Sequence, residues 1–214
     1  MRYCLLVYIL GVSWALAGQT AIRATYQRNS INGELTKLSK QLPPGSRERL
    51  ASYDHVVATY RLTHVAGVSR YEYESSHYLP RYTGEQFPSD DSSIYYKDLS
   101  SDESREIVNY SSKRGCQQQD LRPFEAYTVT DSTKVFGKLL VQKAVHRTNP
   151  GVVVWFAPGI PVRDGPRGLA GFPGLVTEYI ANPYHTKLID VQSLTGQEAR
   201  PIVRLNCPPR SRKD

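Results

Sequence analysis

GLAGFPGLVTEYI, residues 168–180, sets three glycines and a proline directly against an apolar run. Glycine tolerates positive φ and close backbone approach. Proline fixes φ, lacks an N–H donor and biases the residue before it towards extended geometry. Interleaved, the two predict a loop that has no regular structure but follows a defined path. Phe172 is held extended by Pro173, Gly174 supplies a turn or a bulge, and the chain enters a strand over 175–180 at a fixed angle. A loop built to bind a ligand is the rival reading, because long loops often carry function; the structural role is the expectation.

The flanking sequence points the same way. "KVFGKLLVQKAVHR" (134–147) reads as a strand, with Leu139, Val141 and Val145 sharing a parity and Lys143 interrupting. "TNPG" (148–151) is a turn, and "VVVWFAP" (152–158) is a buried strand by its continuous apolar character, so the pair forms an antiparallel hairpin. A long Gly/Pro loop over 158–174 follows. Beyond "LVTEYI", "PYHTKLIDVQSL" (183–194) reads as a strand and "RPIVRLN" (200–206) as a last one.

The N-terminal half is less regular. Ile22, Ala24 and Tyr26 alternate with Arg23, Thr25 and Gln27, the pattern of a half-buried strand. The polar stretch 32–49 reads as a long loop, with a short helical turn near 48–52. Two β-rich runs in "HVVATYRLTHVAGVSRYEYES" (55–75), separated around 64–67, predict a hairpin. Residues 79–93 are turn-rich. Ile94, Tyr95 and Tyr96 pair with 107–110 as short strands around an acidic turn, with a helix over 101–107 as the competing assignment. Strands at short spacing with few helices predict a mainly β protein: an antiparallel curved sheet or open barrel with long loops and few short helices.

At 214 residues the chain is expected to be one domain with its own core. Fifteen tyrosines, 15 glycines and 14 prolines suit strands and turns. Residues 1–17 read as a secretory signal: Arg2, an apolar run, then Ala15, Leu16 and Ala17 as the small-x-small cleavage pattern, with cleavage after Ala17. A spanning anchor needs roughly 20 apolar residues, more than this run supplies. In an exported chain, Cys116 and Cys207 form an even pair once Cys4 leaves with the signal. A bridge between them closes a loop of about 90 residues, worth on the order of 4 kcal/mol if unstrained; two unpaired thiols are the alternative. The formal charge of +7 falls to +6 when Arg2 is removed. That excess is compatible with weak contact to an anionic membrane surface. No nucleic-acid motif accompanies it, so nucleic acid is not an expected partner.

"WFAPGIPVRDGPRGLAGFPGLVTEY" (155–179) resembles the signature of the GLPGLI family, exported proteins of Gram-negative bacteria named for that hexapeptide. Here the hexapeptide is Gly171-Phe172-Pro173-Gly174-Leu175-Val176. Trp155 and Phe156 lead to a Pro and then to Ile160 and Pro161, and Asp164, Gly165 and Pro166 follow. Upstream, Thr133, Lys134, Gly137, Lys143 and Ala144 fit the family's Thr-Lys, Gly and Lys-Ala positions. The likeness is strongest over 127–180. It departs at Phe172 and Val176, and at Val141 or Gln142, where family members commonly carry a cysteine. The resemblance implies a motif loop of Asp164, Gly165, Pro166, Gly171, Phe172, Pro173, Gly174 and Leu175. It carries no catalytic activity. It implies a protein of the periplasm or outer-membrane periphery, in some members linked to TonB-dependent uptake.

No catalytic constellation emerges from the residues themselves. His55, His64, His77, His146 and His185 accompany no G-x-S-x-G elbow and no catalytic cysteine context. His146 and His185, on strands expected to be neighbours, could meet as metal ligands; strand-face histidines are the plainer reading. Asp164 could hold a cation or a substrate hydroxyl, but an Asx residue more often bonds its own turn. Asp90, Asp91, Asp102 and Glu103 lack calcium-loop spacing. Tyr71, Tyr73, Tyr95 and Tyr96 could stack on a sugar or porphyrin, and cross-strand packing explains them equally. The expectation is therefore a non-enzymatic binding or accessory protein, without cofactor or metal, whose partner is an envelope protein. A carrier of an apolar or lipid ligand, and a hydrolytic or metal-dependent enzyme, are the alternatives.

Overall fold

The structure, a computed structural model, describes residues 21–31, 33–87, 94–99, 106–111, 115–120 and 122–203, with the stretch 106–123 described by its backbone alone. The expected signal segment and Cys207 lie outside these residues, as does the side chain of Cys116. Asp90, Asp91, Asp102, Glu103 and most of the competing helix at 101–107 also fall outside them.

The strands are β1 (Ile22–Ser30), β2 (Val56–Val65), β3 (Val68–Tyr78), β4 (Ile94–Asp98), β5 (Glu106–Ser111), β6 (Gly115–Asp120), β7 (Arg122–Pro123), β8 (Tyr127–Phe136), β9 (Leu139–His146), β10 (Val153–Ala157), β11 (Leu169–Ala170), β12 (Leu175–Ala181) and β13 (Tyr184–Ser193). Eleven of them form one sheet in the order β6-β5-β4-β3-β2-β1-β13-β12-β10-β9-β8, while β7 and β11 make a small parallel pair. Every pairing in the large sheet is antiparallel. The sheet is open, with β6 and β8 at its ends. The first strand lies in the middle, between β2 and β13.

Burial follows the alternation read from the sequence. Ile22, Ala24 and Tyr26 are buried, and the residues between them are half-buried. They join Ala58, Tyr60 and Leu62 of β2, Tyr71 of β3, Leu175 of β12 and Leu188 of β13 in one cluster, with Val162 from the 158–174 loop. Phe136 and Leu139, from the β8–β9 end, pack against the same cluster. In a flat sheet β3 and β9 would stand roughly 30 Å apart at about 4.8 Å per strand. Strong curvature, with the loop filling the concave side, brings both to one core. A second cluster joins Tyr127, Ala144, Val154, Phe156, Val176 and Tyr179 to Leu169 and Phe172 of the loop.

Three local assignments differ from the sequence reading. The stretch 134–147 is two strands, split by a turn at Gly137 (φ 60°) and Lys138. The polar region read as a loop contains a helix, α1 (Glu34–Ser39), ahead of the expected second turn, α2 (Ser46–Ser52). Helix starts leave backbone N–H groups without partners. Here the Asp54 carboxylate accepts from the N–H of Leu35 at 3.1 Å and of Thr36 at 2.7 Å. That cap comes from 18 residues downstream, so no local motif announces it. Residues 200–203, the described start of the expected last strand, have no strand structure.

The loop meets β12 where the Gly/Pro pattern placed the junction. Gly174 has φ 146°, and a Cβ built on it would lie 2.1 Å from the Ala157 carbonyl oxygen. One residue later the strand begins, with the Leu175 N–H bonded to Ile160 O at 3.1 Å and the Val176 N–H to Asp164 O at 2.9 Å. The substitution Gly174→Ala is therefore expected to cost about 2 kcal/mol or more, combining a disfavoured φ with a backbone clash. Urea unfolding of the two proteins measures it, and an unchanged midpoint would show that the junction tolerates a side chain.

Candidate functional site

Loops usually run over the surface because their backbone groups need water. The 158–174 loop does not: Val162, Asp164, Gly165, Pro166, Gly168, Leu169, Ala170, Phe172 and Gly174 are all buried. Its backbone is bonded internally instead. The Gly171 N–H reaches Arg163 O at 3.0 Å, Leu169 reaches Pro166 O at 3.2 Å, and Asp164 and Ala170 form an antiparallel bridge. Strand β11 pairs with β7. Phe172 is enclosed by the rings of Phe124, Tyr127 and Phe156 at 5.1–5.8 Å between centroids. Only Pro158, Gly159, Pro161, Arg163 and Pro173 of the loop are exposed.

The chemistry converges on Asp164. Strand register aligns Ile22, His64, Ser69 and Lys97 directly across β1, β2, β3 and β4. Asp164 comes down from the loop onto this row. Its Oδ2 accepts from His64 Nδ1 at 2.9 Å, and its Oδ1 accepts from Lys97 Nζ and from the Gly165 N–H at 2.7 Å. A carboxylate can only accept, so the His64 proton sits on Nδ1. Lys97 Nζ also donates to Gly165 O and, at 3.3 Å, to Leu169 O. Three acceptors for three N–H donors describe an ammonium with nothing left over. The side chains of Lys97 and Asp164 are fully buried, and that of His64 is 9% exposed. Burial alone would raise the Asp164 carboxyl; the Lys97 charge and the His64 hydrogen bond overcome it and hold the group well below the usual carboxylate range. Burial pushes Lys97 down from its ordinary value, against the pull of Asp164. Ser69, between His64 and Lys97 in the row, is fully buried, and its hydroxyl has no hydrogen-bond partner among the described residues.

A second ion network surrounds Glu178 of β12, whose side chain is 5% exposed. It accepts from Lys134 Nζ and pairs with His185 Nε2 at 2.6 Å, and Lys187 Nζ lies 3.8 Å away. Lys134 also sits 4.2 Å above the Trp155 ring. Burial opposes ionisation of Glu178, but the hydrogen bonds from His185 and Lys134 prevail and lower it to about 2. A separate cleft of about 440 Å³ is lined by Thr36, Glu48, Ser52, His55, Tyr82 and Phe87, among others. In its wall His55 stacks on Tyr82 at 4.5 Å, and Tyr78 stacks on the same tyrosine ring at 5.0 Å.

The motif residues Asp164, Gly165, Pro166, Phe172, Gly174 and Leu175 thus come together inside the fold, with Gly171 half-buried and Pro173 exposed at its rim. The cation held by Asp164 is a lysine of the same chain. His146 and His185 are not neighbours: β10 and β12 stand between their strands. His146 packs edge-on to Tyr127, and His185 binds Glu178. Among the described residues no group of three His, Cys, Asp or Glu side chains is placed to hold a metal ion. The tyrosines stack on one another across strands, Tyr60 on Tyr71 at 5.2 Å and Tyr71 beside Tyr95 at 6.1 Å. Sequence reasoning did not find Lys97, nor the pairing of His64 with Asp164. The two contacts join residues 67 and 100 positions apart, and no local pattern encodes them.

Residues 98–178, less than half of the chain, match a family model described as a protein of unknown function (Porph_ging). The matched segment contains Asp164, Glu178 and the whole 158–174 loop; it omits His64 and begins one residue after Lys97. No curated protein and no solved structure matches the chain.

Two outcomes follow from the ion networks. Lys97→Met leaves a buried carboxylate with a lost counter-charge and is expected to cost about 3–5 kcal/mol, whereas Lys97→Met combined with Asp164→Leu recovers much of that loss; a double-mutant cycle in urea measures both. For Glu178, the folded value lies below the ordinary 4.5. Its contribution is therefore full above pH 4.5 and is lost as pH falls through about 2. Stability measured from pH 7 to pH 2 is expected to fall less steeply on the acid side in Glu178→Gln than in the parent, and parallel acid limbs would contradict the assignment.

Proposed function

We propose that the chain is an exported, GLPGLI-like accessory protein that acts by binding an envelope protein at the periplasmic face of the outer membrane, and that it is not an enzyme. The observation that carries the non-enzymatic reading is the state of the Asp164 cluster. Its carboxylate and ammonium are closed to solvent and satisfied by one another and by the loop backbone. Groups spent in this way hold a scaffold together and are not free to take or give a proton to a substrate. The resemblance to GLPGLI proteins and the signal-like sequence of residues 1–17 support an envelope location, and the same resemblance supports a link to TonB-dependent uptake.

The alternative of a carrier for an apolar ligand meets an obstacle on the concave side. Tyr26, Tyr60, Tyr71, Val162 and Leu175 are 0–1% exposed there, so a lipid in that position would have to displace the loop together with its ion pair.

Affinity capture of the tagged, exported protein from detergent-solubilised envelopes tests the proposal. A membrane protein recovered in a fixed ratio is the expected result. A monodisperse protein that captures nothing, or a turnover activity that Asp164→Asn abolishes without unfolding the chain, would overturn it.

A further inference from the structure

We propose that the C-terminal tail of this chain covers a cleft on the outer side of β2, β3 and β4 and is fastened to the end strand of the sheet by a disulfide between Cys207 and Cys116. The cleft, of about 420 Å³, has Thr63, Arg70, Glu72 and Tyr96 as its floor and residues 201–203 as its wall. Thr63, Arg70 and Tyr96 are paired in a row across the three strands. They alternate with Leu62, Tyr71 and Tyr95, which belong to the central core, so the floor is the side turned away from that core. Ile202 packs against Ala21, Val65 and Leu194, beside the start of β1. Val203, one residue on, borders the floor of β3 and β4. The chain thus runs outward at this point, from β1 towards the β6 end of the sheet.

Register and chain length put the two cysteines within reach of one another. Glu72 stands opposite Ile94, Ile94 opposite Tyr110 and Tyr110 opposite Cys116. Three strand spacings of about 4.8 Å set the Cys116 backbone roughly 14 Å from that of Glu72. Cys207 follows Val203 by four residues. Four extended residues span about 13–14 Å, and the Cα atoms of a disulfide stand about 5.5–6 Å apart. A reach of roughly 19 Å exceeds the separation, and the surplus lets the tail pass above the strands. Of the three cysteines in the chain, the third is Cys4 in the signal-like segment, so the pair has no competitor once that segment is removed.

The bridge forms by thiol–disulfide exchange with an oxidant of the glutathione-disulfide class. The Cys207 thiolate attacks that disulfide and releases one thiol, and the Cys116 thiolate attacks the mixed disulfide and releases the second. Two protein thiols lose two electrons and two protons, and the oxidant becomes two thiols. In the cell this requires an oxidising compartment, so there it rests on the export just proposed. The bridge would tie β6, whose one neighbour in the sheet is β5, back to the centre through Ile202. It braces the arm of the sheet that carries Lys97.

Thiol mapping tests the assignment. The full chain is expressed with residues 1–17, recovered from the envelope fraction, alkylated in denaturant without reduction and digested. Mass spectrometry is expected to show one linked pair of peptides, joining Cys116 to Cys207, and no alkylated cysteine. The chain from Gly18 onward, purified reduced and equilibrated in glutathione buffer, is expected to give the same pair as a monomer. Ile202→Ser unseats the tail and is expected to lower the ratio of bridged to reduced protein about tenfold in that buffer; urea midpoints of the reduced proteins establish that the variant folds. Alkylation of both cysteines in the glutathione-treated chain, a linkage found only between copies, or an Ile202→Ser ratio equal to the parent's overturns the inference. A chain that bridges in glutathione buffer, but in the cell keeps residues 1–17 and reduced thiols, supports the position of the tail and overturns the export reading. An exported chain, cleaved after Ala17, with both thiols free overturns the position of the tail and leaves the accessory reading standing.

Discussion

A carboxylate without access to water is costly unless every oxygen is bonded and a counter-charge lies beside it. Asp164 meets both conditions by drawing on two distant parts of the chain, His64 of β2 and Lys97 of β4, and on the amide that follows it in the loop. The rest of the architecture answers to this requirement. The loop has to lie in the concave side of the sheet for the carboxylate to reach the row of β2 and β4. The sheet has to curve for that side to be concave. Removing one partner would strand the other, so the ion pair specifies a position more than it adds net stability.

The loop also explains why glycine and proline recur in it. A buried segment outside the large sheet has to bond most of its own amides, and a chain that turns this tightly needs residues that turn without a Cβ or that arrive already bent. Gly174 passes against the Ala157 carbonyl, where no side chain fits. Phe172 points into the aromatic group of Phe124, Tyr127 and Phe156. The motif is thus spent on interior packing, with Pro158, Gly159, Pro161, Arg163 and Pro173 its exposed positions.

Much of the fold was legible because it is encoded at short range. Alternation in 22–27 gave β1, the turns at 66–67 and 148–151 gave two hairpins, and the Gly/Pro run gave the loop and the start of β12. Three features were not legible. Helix α1 takes its cap from Asp54, across 18 residues. The break at Gly137 hides inside an apolar stretch that reads as continuous in either case. The site itself was seen by one residue only: Asp164 was recognisable as a turn former with a spare carboxylate, whereas Lys97 looks like any lysine in "IYYKD" until register sets it beside His64. Sequence spacing reports neighbours along the chain, and this cluster exists only across it.

The placement of β1 at the centre of the sheet bears on the order in which its ladders can close. Its two ladder partners are β2, which follows soon after, and β13, which ends at Ser193. The β1–β2 ladder closes over a short stretch of chain, whereas the other edge of β1 stays bare until β13, about 150 residues or more further on, comes back to it. Lys97 likewise has no counter-charge until the loop carrying Asp164 is seated. The order of its own strands makes closure of the sheet at its centre a long-range step, set by contacts far apart in the chain.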